Sequence, residues 1–109
     1  MGVTKTKGFN EQINDMAEVL KALGHPARLA IIKCLAERPS CICNDLVDKI
    51  PLAQPTVSRH LSELKKVGLI RGIIEGKRLC YCIDEKRWMA VKKMVDKMAS
   101  SLKSVDKCC

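Results

Sequence analysis

The spacing of apolar residues changes period at Gly68 and changes back at Asp84. Outside that interval they recur at steps of three and four, the repeat of an amphipathic helix. Inside it stand two runs, Leu69-Ile70-Arg71-Gly72-Ile73-Ile74 and Arg78-Leu79-Cys80-Tyr81-Cys82-Ile83. They flank Glu75-Gly76-Lys77, which reads as a hairpin with glycine in a three-residue loop. The chain is therefore expected to be mainly α with one β-hairpin.

Phe9, Ile13, Met16, Leu20 and Leu23 form the first helical stripe, which Gly24-His25-Pro26 ends. A second helix is expected from about Pro26 to Glu37, broken by Pro39. Ser40 can cap a third that runs to about Lys49. Pro51 to Gln54 make a short turn. Pro55 then suits a first helical turn, and Thr56 to Val67 form a fourth helix that Gly68 stops. After the hairpin, Asp84 caps a last helix striped by Trp88, Val91, Val95, Met98 and Leu102. The expected order is α-α-α-α-β-β-α. Residues 1–8 read as a flexible basic arm, 9–103 as one domain, and 104–109 as a flexible tail ending in cysteine.

Two short helices joined by a tight turn and followed by a basic hairpin are the parts of a winged helix-turn-helix. The second helix of such a unit enters the major groove of DNA by its N-terminal end. Here that end is Gln54-Pro55-Thr56-Val57-Ser58-Arg59-His60. It supplies the amide of Gln54, two hydroxyls, the guanidinium of Arg59 and the imidazole of His60, groups that can address base edges and phosphates, with Arg59 the candidate for guanine. Thr56 and Ser58 suit phosphate, and Val57 suits a thymine methyl. Lys77 and Arg78 at the hairpin tip are candidates for phosphate or minor-groove contact. The balance of 20 Lys and Arg against 12 Asp and Glu, a net of +8, favours such a polyanionic partner.

A chain of 109 residues buries a thin core, and its two outer helices both carry apolar stripes. A homodimer through the first and last helices follows, with two reading helices about one turn of DNA apart on a palindromic double-stranded site. No apolar run approaches the roughly 20 residues that span a bilayer, so no membrane partner is expected. The N-terminus lacks the apolar core of a secretion signal, so the protein is expected to stay in the cytoplasm. An enzyme is not expected: no phosphate loop or nucleophile–base spacing is present, and there are only 2 His.

Several separated segments together resemble the ArsR/SmtB family of metal-sensing repressors, over roughly residues 12 to 88. Leu20-Lys21-Ala22-Leu23-Gly24-His25-Pro26-Ala27-Arg28-Leu29 resembles the family's opening signature. Gln54 to Leu61 resembles its recognition helix, and Lys66-Val67-Gly68-Leu69-Ile70 the approach to its wing. The resemblance implies a homodimer that represses its operon and leaves DNA when a thiophilic ion binds. In the arsenic and cadmium/lead branches a Cys-Val-Cys segment opens the helix before the recognition helix. Ser40-Cys41-Ile42-Cys43-Asn44-Asp45-Leu46 is similar, with Asn44 inserted before the acidic residue. That implies Cys41 and Cys43 as metal ligands. The zinc branch uses His and Asp on the last helix, where this chain has no histidine, so a zinc site of that kind is not expected.

The 7 cysteines fit this chemistry. An odd number in a reducing compartment argues for metal or redox use rather than a disulfide framework. Cys34 lies in an apolar run and reads as core filling. Thiolates select As(III), Sb(III), Cd(II) or copper(I), and a two-thiol site can serve an organoarsenical. Side chains two residues apart diverge by about 200° on a regular helix but share a face on an extended segment. One ion can hold Cys41 and Cys43 together only if that stretch is extended or its first turn unwinds. A third thiolate can come from Cys80, Cys82, Cys108 or Cys109, the tail pair from either subunit. No cofactor is required for DNA binding itself. Two other readings use the same thiols: a redox-responsive winged-helix repressor, and a metal buffer, which has no reason to carry the Gln54–His60 helix.

Overall fold

The computed structural model describes residues 8–37, 50–76 and 78–102; of Glu75 and Arg78 only the backbone is described. The helix expected over 40–49, with Cys41 and Cys43, lies outside the described residues, as do Lys77, Cys108 and Cys109. The described elements are α1 (Glu11–Leu23), α2 (Pro26–Ala36), α3 (Gln54–Lys66), β1 (Ile70–Glu75), β2 (Arg78–Ile83) and α4 (Glu85–Ser100). They follow the expected order of a winged helix-turn-helix. Among the described residues no helix is long and apolar enough to cross a membrane.

Each helix starts where the sequence supplies an acceptor or a proline. Asn10 Oδ1 accepts the N–H of Ile13 at 2.8 Å, so α1 begins after Asn10 and Phe9 lies outside it. His25 Nδ1 accepts the N–H of Ala27 at 3.0 Å, with Pro26 as the first helical residue of α2. Asp84 Oδ1 accepts the N–H of Arg87 at 3.1 Å and starts α4. At the far end of α3, Gly68 takes φ +83°. Its N–H bonds Lys65 O at 3.0 Å and the Leu69 N–H bonds Leu64 O at 3.2 Å, two bonds that satisfy the helix's last carbonyls.

The core gathers one apolar line from each element. Val19 from α1, Ile31 and Leu35 from α2, Val57, Leu61 and Leu64 from α3, Leu69 and Ile70, and Val91 from α4 are buried together, with Ile50 closing one side. The buried line of α1 is Met16, Val19 and Ala22. Ile13 and Leu20, members of the expected apolar stripe, stay 49% and 48% exposed. Val95 and Met98 at the end of α4 are exposed as well, and so is Leu102, which was expected in the stripe of this helix but lies beyond its Ser101 cap. The helices thus carry two apolar lines, and one thin core takes only one of them.

The hairpin is antiparallel, pairing Ile70 with Ile83 through to Glu75 with Arg78. The ladder runs one pair further than expected, so the connection has two residues, 76 and 77, not three. Gly76 supplies the positive φ, +63°, that so short a connection needs. Directly opposed residues share a face. Ile70, Ile83, Gly72 and Tyr81 therefore face one way, toward the core that buries Ile70 and packs Tyr81 and Ile83. Arg71, Cys82, Ile73 and Cys80 face the other.

Candidate nucleic-acid interface

The reading end of α3 is built by its own amphipathic spacing. Val57, His60, Leu61 and Leu64 turn inward, which leaves Gln54, Thr56, Ser58 and Arg59 exposed on the opposite side. These four supply an amide, two hydroxyls and a guanidinium along the first two turns of one helix. The N-cap position is Ala53, which makes no side-chain cap, and the first turn holds no carboxylate. The positive end of the helix dipole is thus left uncompensated, as suits an approaching phosphate.

Two expected contacts are corrected by burial. Val57 is 1% exposed and belongs to the core, so it has no free surface for a thymine methyl. His60 is 6% exposed. Its Nδ1 accepts a hydrogen bond from Arg28 Nε at 3.0 Å, and its ring lies 4.4 Å from that of His25. Arg28 also donates from Nη1 to the carbonyl of Ala22 at 3.1 Å. Burial first, and then the positive charges of His25, Arg28 and Arg59, push the His60 pKa down from its ordinary 6.5. A neutral imidazole is what this arrangement needs, because Nδ1 must keep a lone pair for Arg28. His60 therefore fixes the rotation of α3 against α2 instead of reading DNA.

Arg28 and His25 were not among the expected site residues. The signal available was an arginine in the first turn of a mainly apolar helix, where a long cation must find a partner. Lys65 is a second addition: a Cβ built on Gly72 would lie 3.2 Å from its Nζ, so the side chain crosses the wing where the glycine leaves room. Arg71 on β1 is exposed beside the same wing. Lys77 and the side chain of Arg78, the expected wing contacts, lie outside the described residues.

Of the cysteines, Cys80 is completely buried and Cys82 half-buried, two residues apart on one face of β2. Both are disulfide-bonded. Cys34 is a free thiol that packs against the core, as expected. Among the described residues no group of three or more His, Cys, Asp or Glu could hold a metal ion.

Residues 25–71 match the model of the arsR family of bacterial regulatory proteins, a stretch that spans α2, α3 and the start of the wing. A helix-turn-helix transcriptional regulator of Methanocaldococcus jannaschii is 40% identical over 89 residues, which is 81% of this chain and 99% of that one. The transcriptional repressor SmtB of Mycobacterium tuberculosis is 38% identical over 65% of this chain, which spans only 52% of that relative. A cadmium resistance transcriptional regulatory protein, a CadC homolog of Staphylococcus aureus, is 36% identical over 76% of this chain and 66% of its own length. Among solved structures, a homodimeric winged helix-turn-helix DNA-binding domain of Mycobacterium bovis superposes with a TM-score of 0.66 at 27% identity. The match covers 91% of this chain and 89% of that one.

Proposed function

From the premise that the chain belongs to the ArsR/SmtB family of bacterial transcriptional regulators, we propose that it is a cytoplasmic, homodimeric repressor released from a palindromic operator by a thiophilic metal or metalloid. The coarser part stands already: it is a transcriptional repressor with a winged helix-turn-helix DNA-binding domain. Its family is one of regulators, not of enzymes. The observation that carries the DNA reading is the division of α3, with Gln54, Thr56, Ser58 and Arg59 outside and Val57 and His60 inside. Replacing Arg59 with alanine is expected to weaken operator binding by about 5- to 150-fold, the worth of about 1–3 kcal/mol for a bidentate base contact. A variant that binds its operator as tightly as the parent would exclude Arg59 as a reader.

Dimerisation through α1 and α4 is supported by the apolar line these helices leave uncovered. Ile13 and Met16 of α1 and Met94 and Met98 of α4 line a groove of about 300 Å³ between them. A homodimer among the similar solved structures supports the same reading.

The inducer reading rests on thiol chemistry. Cys41 and Cys43 are the proposed ligands, with a third thiolate from Cys80 or Cys82 once their disulfides are reduced, or from Cys108 or Cys109. As(III) and Sb(III) are the favoured ions, and Cd(II) or an organoarsenical fits the same soft donors. The cadmium-resistance regulator among the relatives supports a thiophilic ion without choosing one. Binding would pull the segment before α3 out of shape and so lower DNA affinity; a coupling of about 1–3 kcal/mol is enough for derepression. The test is anisotropy of a labelled operator duplex under a phosphine reductant, with arsenite, antimonite, cadmium and zinc titrated separately. Release by arsenite at stoichiometric levels, abolished in Cys41→Ser/Cys43→Ser while DNA binding persists, is the expected result. Retained release would move the sensor to another cysteine pair.

A redox reading stands second, because Cys80 and Cys82 are disulfide-bonded. In that case peroxide releases the operator, a reductant restores binding, and metalloids under strong reductant have no effect.

A further inference from the structure

The C-terminal end of α3 is held by one side chain that is neither a reader nor part of the core. Arg87, in the first turn of α4, donates from Nε to the carbonyl of Val67 at 2.9 Å. Its two terminal nitrogens form a fork on Asp15 of α1, at 3.0 and 2.7 Å. One guanidinium thus joins α1, α4 and the last carbonyls of the reading helix. The surroundings are shaped to it. Gly68 follows Val67 immediately, and a Cβ there would lie 3.4 Å from Arg87 Cγ. Asp84 caps the backbone N–H of Arg87 and, through its own N–H, bonds Leu69 O at 3.0 Å on the other side of the glycine. The charges agree with the geometry: the hydrogen bond from Arg87 lowers the Asp15 pKa, and Asp15 in turn raises that of Arg87.

We infer that Arg87 is a positioning residue for DNA recognition, setting the angle between each reading helix and the α1–α4 pair. The reasoning is that of a lever. α3 has 13 residues, a length of about 20 Å. Arg87 pins one end and Gln54 stands at the other. A rotation of about 10° at the pinned end moves the reading end by roughly 3 Å, close to one base step along a DNA strand. In a homodimer both levers turn together, so the separation of the two half-sites is what this contact specifies. The inference rests on the proposed dimer of α1 and α4.

Lysine is the discriminating replacement, because it keeps the charge opposite Asp15 but has no fork and cannot also reach Val67 O. A preferred duplex is first selected from a random pool with the parent protein, and versions are made with the half-sites one and two base pairs closer or further apart. Binding of the full chain to this set is measured for the parent, Arg87→Lys and Arg87→Gln. Dimer dissociation is followed by sedimentation and folding by circular dichroism. The expected result is that Arg87→Lys remains folded and dimeric, binds the selected duplex about tenfold more weakly, and loses most of the preference for the selected spacing. A purely structural ion pair would weaken binding to every spacing equally, and that outcome overturns the inference. So does a dimeric parent that is indifferent to spacing, which leaves the dimer itself standing. A monomeric parent would overturn the dimer and the inference together.

Discussion

His60 shows how a residue in a DNA-reading sequence can serve the fold instead. Its imidazole must stay neutral to accept from Arg28, and that requirement couples stability to pH. In the unfolded chain His60 takes up a proton near 6.5; in the fold, burial and then the neighbouring cations hold it neutral to lower pH. The stability tied to the neutral ring is complete above about 6.5 and is lost as pH falls from there through the folded pKa. Urea unfolding of the parent is expected to weaken over that window, whereas His60→Asn, which keeps an acceptor and does not titrate, should lose this part of the slope. Equal slopes would show that His60 is not the group responsible. Arg28→Ala tests the same contact from the other side. It leaves the buried Nδ1 without a donor and should cost about 1–3 kcal/mol in the same urea assay.

Among the elements, α3 and the wing depend on what happens at Gly68. The turn satisfies the helix's last carbonyls, reverses direction into β1 and gives Arg87 room. The sequence marks the position correctly as a stop, since glycine is the residue that takes positive φ cheaply. It says nothing of the arginine 19 residues later that packs over it. Gly68→Ala combines left-handed strain, about 1–2 kcal/mol, with crowding of that side chain. The expected outcome is a lower thermal midpoint with helix content retained. A midpoint equal to the parent's would mean that the backbone relaxes out of the left-handed region. The Asp84 start was legible because its side chain acts within three residues of itself, whereas the Asn10 and His25 caps, just as local, appeared only in the structure. The hairpin was placed correctly but one pair short, because loop length depends on where cross-strand bonding stops.

For the whole molecule, the decisive quantity is apolar surface that one thin core does not cover. Val95 and Met98 on α4, with Leu102 just beyond its end, and Ile13 and Leu20 on α1 remain exposed on the two helices that the dimer reading uses. A two-fold partner would bury each of them twice. Met98→Glu places a charge on that line, at the edge of the groove with Ile13 and Met16. The expected result is that sedimentation shows dimer dissociation at least about tenfold easier, and that operator affinity falls with it, while the protomer stays folded. An unchanged dissociation constant would place the interface elsewhere.

The sequence by itself determined the order of the described elements, the helix stops at Gly24 and Gly68 and the Asp84 cap, because each follows from local periodicity or from a residue a few positions away. The spacing that groups Val57 and His60 with Leu61 and Leu64 is present in the chain, but only tertiary structure decided the pairing of His60 with Arg28 of α2. It also decided which apolar line of α1 enters the core. The partnership of Arg87 with Asp15, 72 residues away in the chain, belongs to the same class. A long-range ion pair leaves no periodicity to read; it exists only once packing has brought α1, α4 and the end of α3 to one place.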